Sequence, residues 1–129
     1  LKYEEVLFIA HIGKFIKVAG GIMNTHSKEA DSRMEILAAA AIQAGIESEG
    51  AVRILSCVNT DDGLAVLKEY GIMEKTMEIV GKKIDFYLNN RAYGNFKIGA
   101  VIFSNRYGIL TMCGDAEELI KKAGGKNER

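Results

Sequence analysis

Val6-Leu7-Phe8-Ile9-Ala10 runs without a linker into His11-Ile12-Gly13-Lys14, and this junction decides how the chain is read. A short unbroken apolar run is the signature of a strand buried on both faces, as parallel strands beneath helices are. Lys14 to Ala19 then carries a short helix that Gly20-Gly21 ends. Two further runs, Ile98–Phe103 and Ile109–Met112, read as strands separated by the turn Asn105-Arg106-Tyr107-Gly108.

Helices fill the interval. Ser27 reads as an N-cap, with Glu29 and Asp31 in a first turn where the helix dipole favours negative charge. Met34 to Ala44 is apolar nearly all round, which predicts a buried helix. Residues 47–57 form a shorter one, and Asn59-Thr60-Asp61-Asp62 opens another that Gly71 closes. From Met73 to Leu88, the spacing Met73, Met77, Val80, Ile84, Tyr87 makes one apolar stripe, the mark of a cover helix. Asp115-x-x-Glu118 is a capping-box variant that opens the last helix, to Ala123. The order predicts an α/β fold, a layered single domain over residues 1–129 with a small, mostly parallel sheet covered by helices. So few strands, and a start at Leu1 without a methionine, point to a fragment of a larger two-domain protein.

Composition narrows the function classes. Of 129 residues, 48% are hydrophobic, enough to fill a core and to exclude intrinsic disorder. Lys+Arg and Asp+Glu balance at 17 each, so no bulk field draws the chain to nucleic acid. Cys57 and Cys113 make neither a disulfide framework nor a CxxC pair, which suits a reducing, cytoplasmic setting. No apolar run approaches the ~18 residues of a membrane span.

Chemistry is concentrated between His11 and Glu35. A helix start after Gly13 offers unpaired N–H groups and a positive dipole end, which suit an anion. Lys14 there is disfavoured by ~0.3–1 kcal/mol through the dipole, and a bound anion reverses that sign. An exposed lysine with its ammonium in water is the competing reading. Phe8, five residues before Gly13, stands where a phosphate-loop motif needs its first glycine, so no Walker-type loop is present. Gly20 and Gly21 permit a close backbone approach, and Asn24, Thr25, His26 and Ser27 crowd donors and acceptors behind them. Those four residues serve a ligand or serve capping and turn chemistry. Asp31, Arg33 and Glu35 at a helix mouth are either binding groups or members of an internal ion pair with Lys14 or Lys17. No local spacing supports a metal site.

The block from His11 to Ala40, HIGKFIKVAGGIMNTHSKEADSRMEILAAA, closely resembles the cobalt-precorrin-5B C1-methyltransferase family of anaerobic cobalamin biosynthesis. The family pattern is a strand, H-x-G-K, a lysine-bearing helix, A-G-G-I-x-N-T-H-S and A-D-x-R-x-E, and this chain keeps each position. The later helix and strands look like the family's carboxyl-terminal end. The resemblance implies S-adenosylmethionine-dependent methylation of a ring carbon of a cobalt-precorrin, by a longer chain of which this is the C-terminal portion. It implies His11, Gly13, Lys14, Gly20, Gly21, Asn24, Thr25, His26, Ser27, Asp31 and Arg33 as substrate- or cofactor-binding candidates. Lys14 and Lys17 are apt partners for the precorrin's carboxylates. A homo-oligomer, or contact with the missing N-terminal region, is expected of the exposed surfaces such a fragment carries. The alternative is a non-catalytic anion- or cofactor-binding module, or a dimerisation domain.

Overall fold

The computed structural model describes residues 4–22, 32–89 and 96–127. Strands β1 (Glu4–His11), β2 (Phe96–Ser104) and β3 (Gly108–Gly114) form one sheet in that order. β1 and β2 are parallel, with Val6 beside Ile98 and His11 beside Phe103. β2 and β3 are joined by a turn too short for a crossover, so they pair antiparallel. The expected parallel pairing thus holds for one of the two pairs, and the sheet is mixed.

Alternation assigns the faces. Ile98, Ala100 and Ile102 of β2 point into the core with Val6 and Ala10 of β1. Helices α1 (Ile12–Ala19) and α5 (Met73–Asn89) cover that face, while α2 (Arg33–Gln43), α3 (Ser48–Leu55) and α4 (Thr60–Glu69) pack behind and beside them. Ile12, Ile16, Leu37, Ile54, Leu64, Leu67, Met77 and Ile84 are fully enclosed. Each such side chain contributes roughly 1.5–3 kcal/mol on leaving water. The α5 stripe is as the spacing predicts: Met77, Val80, Ile84 and Leu88 are buried, and Tyr87 is half-buried.

The opposite face carries α6 (Ala116–Asn127), seated where Gly99 has no side chain. A Cβ at Gly99 would lie 2.3 Å from the Ala116 nitrogen. Three expectations are corrected here. β1 is an edge strand and is not buried on both faces; Ile9 is 68% exposed, because α6 covers only part of the outer face. α2 is enclosed on one side only, and Ile42 is 58% exposed. The carboxylates expected to form a capping box in α6 reach β2 instead. Asp115 accepts from the Ile98 N–H at 3.3 Å, and Glu118 pairs with Lys97. Ser27, Glu29 and Asp31 lie outside the described residues, so the cap and first turn expected there do too.

Candidate functional site

β1 ends at His11 and the chain enters α1 at once. His11 keeps extended backbone angles, and its Nδ1 accepts from the Gly13 N–H at 2.9 Å. The residue is therefore an N-cap, which starts α1 at Ile12, two residues before the sequence reading. The ring is also held edge-on against Phe103, with centroids 5.5 Å apart. Gly13 is needed for close approach: a Cβ there would meet His11 Nδ1 at 3.0 Å and Thr60 Oγ1 at 3.6 Å.

Thr60 opens α4. Asn59 caps that helix through its Oδ1, which accepts from the Asp62 N–H at 2.8 Å, leaving its amide N–H₂ as a donor. α2 opens at Arg33. His11, Gly13, Lys14, Arg33, Asn59, Thr60, Asp61 and Asn105 line one pocket of about 370 Å³. Three helix starts therefore share one cavity at the carboxyl ends of the parallel strands β1 and β2, where open α/β sheets hold ligands. Each helix start presents roughly half a positive charge. Lys14, exposed, and Arg33, half-buried, add two formal ones. Such a pocket attracts carboxylate or phosphate. Asp61 lines the pocket as well and offsets one of those charges; its Oδ1 is buried and has no hydrogen-bond partner among the described residues.

Of the residues singled out in the sequence, His11, Gly13, Lys14 and Arg33 share this pocket. Gly20 and Gly21 do not. They lie at the far end of α1, about 12 Å away at 1.5 Å per residue. There Gly20 lines a second groove of about 470 Å³ with Ile79, Phe86, Tyr87, Lys82 and Lys83. The glycine pair has a packing reason: a Cβ on Gly20 would lie 2.5 Å from the Ile36 side chain, and one on Gly21, where φ is +84, would lie 3.1 Å from the Tyr87 ring. Lys17 is buried in the last turn of α1 and is not among the residues lining the first pocket. Asn24, Thr25, His26, Ser27 and Asp31 lie outside the described residues. Asn59, Thr60, Asp61 and Asn105 escaped the sequence reading, which explained them completely as a cap and a turn.

The cysteines offer no nucleophile here. Burial, reinforced by Asp85, pushes the Cys113 thiol up to about 11, and burial also raises that of Cys57. Among the described residues no three His, Cys, Asp or Glu side chains gather for a metal, and no helix is long and apolar enough to cross a membrane.

Fold and pocket together define an α/β domain with a small mixed sheet and a polar cavity at the strand tips. Its sequence matches the family model described as CbiD, C-terminal domain, over residues 24–114, and the chain belongs to that family. It is 39% identical over 128 residues to a cobalt-precorrin-5B C(1)-methyltransferase of Alkaliphilus metalliredigens, covering 97% of this chain and 34% of that protein. It is 40% identical over 102 residues to the protein of the same name from Ruminiclostridium cellulolyticum, covering 79% and 27%. For the Methanocaldococcus jannaschii protein of that name the figures are 36% over 107 residues, 83% and 29%. The chain thus spans about a third of the length of these relatives. No solved structure matches it.

Proposed function

We propose that the chain is the carboxyl-terminal part of a cobalt-precorrin-5B C1-methyltransferase of cobalamin biosynthesis, and that the pocket between α1, α2 and α4 holds the amino-acid end of S-adenosylmethionine. The methyl donor supplies an electrophilic carbon on a sulfonium. The observation that carries the reading is the pairing of a strongly anion-seeking pocket with one orphaned acceptor. A carboxylate and an ammonium on the same carbon match the donors of Lys14, Arg33 and the helix starts on one side and Asp61 Oδ1 on the other.

The residues act by binding and orientation. Lys14 and the free N–H groups of α1 hold the carboxylate, and His11 fixes the strand tip on which they sit. Methyl transfer leaves the sulfur neutral, so the site needs alignment more than a strong base, and alignment alone can supply ~7–11 kcal/mol of barrier reduction. A second reading places a precorrin acetate or propionate in the same pocket; Lys14 and Arg33 suit it equally, yet Asp61 keeps its orphaned oxygen.

Steady-state methyl transfer by the full-length enzyme decides between them. A charge-assisted hydrogen bond is worth ~1.5–3 kcal/mol, so Lys14→Ala should raise one KM by roughly 10–100-fold. If the donor's KM rises and Asp61→Asn raises it too, the donor reading stands. A rise confined to the precorrin's KM transfers the pocket to the substrate. Unchanged values for both remove it from the reaction.

A further inference from the structure

We propose that the uncovered outer face of the sheet, along the β1 edge, is the seat of the amino-terminal domain that precedes this one in its longer relatives. Register places two rows there side by side, apolar except for His11. Ile9, Val101 and Met112 stand opposite one another in the first, and His11, Phe103 and Ile109 in the second. α6 shelters the row beyond, at Gly99, and stops. Ile9 is 68% exposed, Ile109 64% and Met112 40%, while Val101 between them is buried. Surface leucines and isoleucines scattered singly are ordinary, but aligned cross-strand neighbours on one face form a patch, and patches of this kind are covered in the working protein. β1 adds a second exposed feature, an edge with no strand beyond it among the described residues.

The occupant follows from chain length and connection. The Alkaliphilus protein has about two thirds of its length outside the aligned region, and the matched family model is a C-terminal domain by description, which puts the remainder ahead of it. β1 lies ahead of residues 24–114, the region the family model matches, and inside the stretch aligned to the Alkaliphilus protein, so in that longer chain the preceding segment leads toward this edge strand. A tethered body meets the patch at an effective concentration in the millimolar range, which a second copy of the chain does not match at ordinary concentrations. His11 belongs both to the patch and to the pocket, so the docked domain forms the pocket's outer wall.

Hydrogen–deuterium exchange with mass-spectrometric readout tests this on the chain alone and on the full-length Alkaliphilus protein. Peptides spanning β1 and β3 should exchange at least tenfold more slowly in the long protein, with α3 peptides alike in both. Ile9→Asp should leave the chain's own thermal midpoint within a degree or two. At the aligned position of the long protein it should return β1 exchange to the isolated-chain rate. Equal β1 and β3 exchange in both proteins overturns the proposal. A chain that sediments as a dimer, with β1 protected as its concentration rises, overturns it in favour of a second copy.

Discussion

His11 and Gly13 are tied by a 2.9 Å hydrogen bond in which the imidazole Nδ1 accepts from the backbone N–H, making the last residue of β1 the cap of α1. An Nδ1 that accepts leaves the ring proton on Nε2, so the side chain's role as a cap fixes its tautomer. Losing such a cap costs ~1 kcal/mol, within a range of roughly 0.5–2. His11→Ala should lower the stability of the chain by that amount in urea unfolding, and His11→Asn, itself a good cap, should recover most of it. Equal losses for the two would mean that packing on Phe103 matters more than the cap.

Gly99 makes a stronger demand. A methyl group there would stand 2.3 Å from the Ala116 nitrogen and 2.7 Å from its Cα, so the obstacle is backbone and cannot rotate away. Gly99→Ala should therefore cost about 1–3 kcal/mol or more, with α6 displaced from the sheet. Gly124 lies in the same helix with open space around it, and Gly124→Ala should stabilise by up to ~1 kcal/mol. Thermal unfolding of the two variants should move in opposite directions.

Cys113 gives a pH-dependent prediction. A thiol raised from 9.0 to about 11 has roughly 100-fold less thiolate at pH 8 than an ordinary one, and iodoacetamide should label it correspondingly slowly in the native chain. Because the folded state holds this proton more tightly than the unfolded state, Cys113 supports folding below about pH 8.5. That support declines as the pH rises toward 11. Cys113→Ser should flatten the alkaline limb of a stability-against-pH curve. An unchanged limb would assign the loss to other groups.

Periodicity made most of the fold legible. The α5 stripe, the turn at Asn105–Gly108 and the βα junction at His11 depend on neighbours in sequence, and the structure keeps them. What the chain alone hid was the company each element keeps. Val6–Ala10 has the composition of an enclosed strand, but enclosure depends on what lies beyond its edge, which no local pattern reports. Asp115 and Glu118 have capping spacing, yet β2 lies close enough to compete for both. The site shows the same division. Gly13-Lys14 marked one helix start as an anion seat, whereas Asn59-Thr60-Asp61 looked sufficient as a cap. Only the approach of Thr60 to Gly13 joins the two into one pocket.

Lys14→Glu separates binding from folding most sharply, because the two respond with opposite sign. A glutamate in the first turn of α1 complements the helix dipole, so the exposed substitution should hold or raise the folding stability, by ~0.3–1 kcal/mol at most. In the pocket it replaces attraction for a carboxylate by repulsion. Equilibrium dialysis of S-adenosylmethionine against the full-length enzyme should then show a Kd at least tenfold weaker for Lys14→Glu than for the unaltered protein. A stable variant that binds the donor with the original Kd would contradict the placement of the donor at the three helix starts.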